Sequence, residues 1–277
     1  MSARLRNIRR DEDWRSSRRG VALMLVLWLV VILGVIAAEV LTGTRTSVAV
    51  AINTRARAVA RAAAESGVEA TVAMIEDSLA TMTDSTIRSS FLNSLSTRQA
   101  DDSISLGAGR AIVAISDPGA QIDVNAAPAE KLAILLGRFT DRASAADMAA
   151  RIRAYVELGS QDGRTARGRA LSTPETPRAT HPIRSLDELR NIEDLDDRVL
   201  QLAAAYLTVD GDGTINRAVA SDTVMDAAFG EIRDAPTRLV VISRGWESGH
   251  ALTHEIQGVF AISNDRLVLV QWRERTR

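Results

Sequence analysis

The chain has 277 residues and a mass of 29.9 kDa, enough for one large domain or two small ones. With 46% hydrophobic and 25% charged residues it is not a wholly disordered chain, and a formal net charge of -1 supplies no overall pull toward nucleic acid. Cysteine is absent, which excludes disulfides, thiol nucleophiles, cysteine-ligated zinc and iron–sulfur clusters together.

The charge is unevenly placed. Residues 1–20 hold seven Arg against Asp11, Glu12 and Asp13, a balance of +4 that leaves -5 for the remainder. Behind this basic leader, Val21 to Ala38 runs 18 residues without a charge, about the length of helix that spans a bilayer's hydrocarbon core. Apolar residues surround it on all sides, so it has no polar face for an interfacial helix. Arg18 and Arg19 directly before it predict a cytoplasmic amino terminus, with Glu39 at the far interface. Three readings compete: a cleaved secretory signal, for which Ile36-Ala37-Ala38 is a poor site; a twin-arginine signal at Ser17-Arg18-Arg19; and a prepilin-type leader cut after Gly20 with the apolar helix retained. A basic leader ending in Gly against an uninterrupted apolar run fits the third best.

Helix formers resume after Thr42-Gly43-Thr44. Val48, Ile52, Val59, Ala63, Ala70 and Met74 recur at helical spacing and predict one buried stripe, while Arg57, Arg61, Glu65 and Glu69 follow each other at i,i+4. One long helix, first in lipid (21–38) and then amphipathic (39–80), accounts for both halves, with Gly34 and Gly43 as its candidate weak points.

Ser78 to Ser105 reads as loop with a short helix near Ile87–Leu95. Arg110–Ile115 is a strand ended by the turn signal Asp117-Pro118-Gly119, and Gln121–Val124 is a second short one, so 81–124 forms a first β part. A helical region follows over 125–207. Pro128 opens a helix with Leu132, Leu135 and Leu136 inward and Gly137 at its end. Ser144 and Asp147 resemble a capping box for a helix burying Met148, Ile152 and Tyr155. Glu157–Ile183 reads as a long exposed loop. Ser185-Leu186-Asp187-Glu188 is a second capping box, starting a helix with Leu189 and Ile192, and Leu195–Tyr206 continues with Val199, Leu200 and Tyr206 inward. The helix pairs resemble helix-hairpin-helix modules, but the second hairpin, Ile192-Glu193-Asp194-Leu195, is acidic and lacks the glycine of phosphate-binding versions. They are read as a packing or partner-binding scaffold. Over 208–277, Leu239–Ser243, Thr253–Ile262 and Leu267–Trp272 form an antiparallel meander, bounded by Glu247-Ser248-Gly249 and Ser263-Asn264-Asp265. The fold class expected is α+β: a long amino-terminal helix packed on an antiparallel sheet, interrupted by a helical insertion.

No nucleophile–base set, P-loop, G-x-S-x-G or H-E-x-x-H is present, and no enzymatic activity is expected. His250 and His254 flank or enter a strand at even spacing, which suits a solvated sheet face better than a metal pair. Asp210-Gly211-Asp212-Gly213 is the best metal candidate, because closely spaced carboxylates on a Gly-rich loop suit calcium; the full EF-hand pattern is missing. Asp117 and Asp123 contribute only if the fold brings them near. Arg164, Arg167, Arg169 and Arg178 read as a solvated loop.

The segment RRG-VALMLVLWLVVILGVIA resembles the amino terminus of the K-type minor pseudopilins of bacterial type II secretion, the general secretion pathway protein K family. DPGAQIDVNAAPAEKLAILLG, HPIRSLDELRNI and LTVDGDGTIN resemble that family in the same order, so the likeness covers most of the chain. The resemblance implies cleavage by a prepilin peptidase between Gly20 and Val21, N-methylation of Val21, a single inner-membrane span and a periplasmic soluble domain. It also implies I- and J-type minor pseudopilins and the major pseudopilin as partners, a helical insertion in a pilin-like domain, and an association with calcium. If Val21 is the first mature residue, the fifth is Leu25, where pilins and major pseudopilins usually carry the Glu that neutralises a neighbour's terminal ammonium. An unpaired charge in lipid costs several kcal/mol, so a subunit without that Glu can lead a fibre but not follow another subunit in it. The implied function is capping the pseudopilus tip. The alternatives are a type IV pilus minor pilin and a membrane-anchored periplasmic DNA-uptake module.

Overall fold

The computed structural model describes residues 8–96, 103–158 and 182–276. The chain divides into two units, Met1–Ala56 and Arg57–Arg277. Helix α1, Ile8–Thr81, runs through the boundary, and neither Gly34 nor Gly43 interrupts it. In the first unit, Leu23–Val40 is an 18-residue stretch long and apolar enough to cross a membrane, with Glu39 as its one charged residue and none of it buried.

In the second unit, α1 buries Ala60, Ala63, Ala64, Gly67, Val68, Thr71, Ile75 and Leu79. This stripe is rotated from the expected one: Ala70 and Met74 are exposed, and Ala63 alone of the six expected positions is buried in this unit. The cause is the sheet beneath. Small residues at positions 60–67 let the helix backbone approach the strands closely, and that closeness selects the face. Asp84 caps α2 (Ser85–Ser96) by accepting from the Thr86 and Ile87 amides at 2.7 and 3.2 Å, and α2 buries Leu92 and Leu95.

β1 (Ile104–Leu106), within the stretch expected to be loop, turns through Gly107 at φ +61° into β2, Gly109–Ser116. The later strands β7 (Arg238–Glu247), β8 (Thr253–Ser263) and β9 (Arg266–Thr276) complete a five-stranded antiparallel sheet in the order β1-β2-β7-β8-β9. The expected meander is present, each strand extended by one to four residues at its ends. Opposed pairs Ser243–Ile256 and Leu239–Phe260 lie on the face toward α1. Leu239, Val241, Ile256, Phe260 and Leu267 bury there with Val68, Ile75 and Leu79 of α1 and Leu92 and Leu95 of α2. Each large aliphatic side chain so buried contributes about 1.5–3 kcal/mol.

Between β2 and β7 lies a second core. It is built from β3 (Ile122–Asp123), α3 (Ala129–Leu136), α4 (Arg142–Leu158), a 3-10 turn over Leu186–Asn191, α5 (Asp197–Ala203), β4 (Leu207–Thr208), β5 (Ile215–Asn216), α6 (Asp222–Asp226) and β6 (Ile232–Arg233). β3 pairs in parallel with β4, and β5 with β6. Its interior joins Ile122 and Val124 to Leu132, Leu135, Ile152, Ile183, Val199, Leu207, Ile215 and Val224, so it reaches beyond the expected 125–207 at both ends. Asp141, not Ser144, caps α4: it accepts from the Ala143 and Ser144 amides at 3.0 and 3.1 Å, and the Ser144 hydroxyl donates to it at 2.7 Å. The Ser185 box is half formed. Ser185 accepts from the Asp187 amide, but Glu188 reaches Arg184 rather than Ser185, and the turn that follows is 3-10. α4 buries Met148, Ile152 and Val156, while Tyr155 is half-buried. The Arg164, Arg167, Arg169 and Arg178 cluster lies outside the described residues.

The helix–sheet seam sets a sharp constraint. A Cβ added at Gly245 of β7 would collide with the Ala60 carbonyl oxygen and the Ala64 amide nitrogen, both backbone atoms that cannot swing aside. Gly245→Ala is therefore expected to cost about 2 kcal/mol or more, lowering the melting temperature of the detergent-solubilised chain by several degrees. Ser243→Ala, one pleat along, removes a buried hydroxyl that has no hydrogen-bond partner among the described residues and is expected to leave stability unchanged or raised. Equal melting temperatures for Gly245→Ala and the parent would refute the close-approach account.

Candidate functional site

The residues singled out as a metal candidate sit where the inserted module returns to the sheet. β4 ends at Thr208, whose hydroxyl accepts from the Asp210 amide at 3.2 Å. Parallel pairing of β4 with β3 carries Asp123 alongside, so close that a Cβ on Gly211 would lie 2.9 Å from the Asp123 Cβ. Asp210 is buried. One of its carboxylate oxygens accepts from Gln257 of β8 at 2.7 Å, and the other pairs with Arg273 of β9 at 2.6 Å. Arg238, at the start of β7, donates to the Asp210 carbonyl at 3.2 Å and to the Gly211 carbonyl, and its Nε lies 3.9 Å from Asp212. Asp212 itself accepts from the Thr214 amide at 3.0 Å. Three neighbouring strands thus each send one polar side chain to a single loop.

Asp117 and Asp123 are both buried nearby. Asp117 accepts from the Gly119 amide and from Asn216 Nδ2, each at 2.7 Å, and Asn216 Nδ2 also reaches Asn93 of α2 at 2.8 Å. Asp123 accepts from the Asn125 amide at 2.9 Å, and the Asn125 side chain in turn brackets the Ile183 backbone at 2.7 and 3.0 Å. Burial pushes the Asp117 and Asp123 carboxyls above the ordinary carboxylate range; for Asp123 the charges of Asp210 and Asp212 add to the rise and Arg238 opposes it. Burial would also raise Asp212, but hydrogen bonds from Thr214 and Thr237 and the charge of Arg238 outweigh it and hold the carboxyl low.

This donor arrangement does not fit a calcium ion. Both Asp210 oxygens are committed to Arg273 and Gln257, and among the described residues no three acidic or histidine groups converge on one point. Chemically the cluster is a clasp: it satisfies the buried polar groups just past β4 and ties the module to three strands. Gln257 and Arg273 lie directly opposite each other across β8 and β9 only because the bulge at Val270 shifts the register by one, which the sequence did not signal. The histidines do not form a pair either. His254 in β8 has Nε2 3.4 Å from Glu274, while His250 lies in the preceding loop with Nε2 3.6 Å from Glu247.

The first hairpin of the module is closed on itself. The amides of Gly137, Arg138, Phe139 and Thr140 donate to carbonyls of Ala133, Leu135 and Leu136 at 2.9–3.2 Å, so they do not face outward toward a phosphate. Arg138 pairs with Asp226, and the Phe139 ring packs on Tyr206 at 5.7 Å between centroids. In the second hairpin Asp194 takes the left-handed conformation, φ 60°, and meets Arg151 of α4 at 3.2 Å. Gly20 and Val21 lie within α1, the Val21 side chain outside the described residues; Leu25 is exposed on the apolar stretch.

No family model and no curated protein matches the chain. Among solved structures it is similar to a chain of the GspK-GspI-GspJ complex from the enterotoxigenic Escherichia coli Type 2 Secretion System, with a TM-score of 0.48 and 10% identity, over 63% of this chain and 82% of that one.

Two measurements test the clasp. Asp210→Asn leaves Arg273 without its counter-charge; because the Arg273 side chain keeps 19% exposure, the expected cost is about 2–3 kcal/mol, below that of a fully buried pair. The double variant Asp210→Leu, Arg273→Met is expected to recover most of that loss in denaturant melts. The second measurement concerns pH. A carboxyl whose folded pKa is raised stabilises the fold when protonated, and that contribution is lost as pH climbs from the ordinary carboxylate range, about 4, through the raised value. Asp123→Asn is therefore expected to gain stability relative to the parent between pH 4 and pH 7; a variant that loses stability relative to the parent over that interval would contradict the assignment.

Proposed function

We propose that this chain is a minor pseudopilin that caps the tip of a type II secretion pseudopilus and nucleates its assembly for protein export across the outer membrane. The observation that carries the reading is one helix with two environments. Leu23–Val40 of α1 is apolar and fully exposed, and the same helix later buries its small-residue face on an antiparallel sheet. Lipid, or the apolar helices of neighbouring subunits in a fibre, is the medium that stretch needs. Leu25 stands where shaft-forming subunits offer a carboxylate, which supports the leading position over a place in the shaft.

On this reading a prepilin peptidase cuts between Gly20 and Val21, Val21 is N-methylated, and the mature subunit waits in the inner membrane with its second unit in the periplasm. Its partners are I- and J-type minor pseudopilins and the major pseudopilin. The inward-bonded hairpin amides weigh against the DNA-uptake alternative.

Blotting and intact mass in cells that carry the peptidase test the processing step. The parent is expected to lose residues 1–20 and keep the apolar stretch, and Gly20→Ala is expected to retain the leader. Normal trimming of Gly20→Ala, or loss of the apolar stretch from the parent, rejects the reading. Gold labelling of assembled fibres is expected at one end only, and label spread along the shaft is equally fatal to it.

A further inference from the structure

The five-stranded sheet ends in two unlike edges. β1 is three residues long and folds straight back, whereas β9 runs 11 residues and, among the described residues, no strand pairs with its outer side. Ser263 and Arg266 close a two-residue turn, which fixes the alternation that follows: Leu267 and Leu269 lie opposite Ile262 and Phe260 with their N–H groups directed away from β8. Glu76 of α1 takes the first of these, accepting from the Leu267 amide at 2.8 Å, and α1 shields the edge there. Beyond it the edge is apolar and open: Val268, Leu269 and Val270 are 52, 50 and 50% exposed, and Trp272 is 36% exposed. Sheets in solution normally blunt such an edge, because its free amides and carbonyls template another strand.

The backbone specifies what kind of group covers this edge, and the charges narrow it. A second copy of the chain fits poorly. Val270 is the extra residue of a bulge, so the pleat changes phase there. A two-fold pairing that keeps the faces matched is centred between Val270 and Gln271; it brings Leu269 against Trp272 but also sets Arg266 against Arg275, like charges directly opposed. We propose that β9 is a docking strand that accepts, by β-strand addition, an extended segment of a different polypeptide, apolar at its centre and carrying carboxylates where it meets Arg266 and Arg275. The inference rests on strand geometry and charge, and stands or falls separately from the secretion reading.

The test is photo-crosslinking in membranes of producing cells, with the full chain bearing a photoreactive residue at position 269 or 272, and at Ile87 of α2, 57% exposed, as control. Two variants accompany the position-272 probe. Leu269→Pro deletes an outward N–H and leaves the β8 ladder intact, and Arg275→Glu reverses one edge charge without touching the backbone. The expected result is one adduct to a different polypeptide from positions 269 and 272, absent from 87, and weakened roughly fivefold or more by each variant at equal chain abundance. No adduct, an adduct at twice the chain's own mass, or an adduct indifferent to Arg275→Glu overturns the proposal. Should Leu269→Pro fail to accumulate, Arg275→Glu decides alone.

Discussion

The architecture of the second unit depends on how closely α1 lies on its sheet. Gly245 sits against the backbone of Ala60 and Ala64, Gly109 against Ala63, and Gly67 against Ser243. At these positions there is no room for a side chain on one partner or the other. Closeness of this kind removes rotational freedom from the helix: turning α1 by one residue would bring Ala62 or Arg61 onto the glycines. The same seam fixes the helix lengthwise. Glu76 then falls beside the Leu267 amide and Arg61 beside Glu274, 3.1 Å away at the opposite end of β9. The exposed pair Arg61–Glu274 adds little energy itself, but it reports a register that packing has already chosen.

A second constraint is electrostatic and joins the two cores. The chain leaves the sheet at β2 and returns at β7, so an independently packed module hangs from two neighbouring strands. Packing inside that module does nothing to orient it. Orientation comes from polar ties: the clasp, where Arg238, Gln257 and Arg273 reach from β7, β8 and β9 into one loop, and Asn93 of α2, which bonds Asn216 and the Asp234 carbonyl. A desolvated Asp210 without Arg273 would be costly, so alternative placements of the module that separate them are disfavoured. The burial of Asp117 and Asp123 beside the same loop works in the opposite direction. Their carboxyls are held in an environment that resists ionisation, and the joint becomes less favourable as they lose their protons.

What the sequence made legible follows from the range of each interaction. The α+β class, the apolar stretch, the meander and its turns were readable because each rests on local signals. Asp117-Pro118-Gly119 does form a tight turn, with Asp117 accepting from the Gly119 amide, and Ser263-Asn264-Asp265 does close a hairpin, with Asn264 in the left-handed region. The buried stripe of α1 was misassigned because alanine carries almost no hydrophobic signal. Val48, Ile52 and Met74 outweigh Ala60 and Ala64 in any pattern, yet glycines on distant strands, Gly109 and Gly245, decide the burial. β1 was missed for want of length, since three residues cannot show an alternation. The clasp was half visible. Asp210 and Asp212 stood out as a pair, but the partners that bond Asp210, Gln257 and the neutralising Arg273, lie 47 and 63 residues further on. The cap of α4 was displaced by three residues because Asp141 and Ser144 are both competent, and the helix begins at whichever the preceding hairpin presents first.

The edge strand and the apolar stretch raise the same physical question at the two ends of the chain, and they answer it by different chemistry. An exposed apolar helix in Leu23–Val40 has every backbone group bonded internally, so any apolar medium suffices and association there is governed by packing. An exposed strand such as β9 has half of its backbone groups directed outward, so an apolar surface alone cannot satisfy it and a second strand can. The first kind of surface selects partners weakly, by shape alone. The second selects by register, and one proline or one reversed arginine is enough to read it.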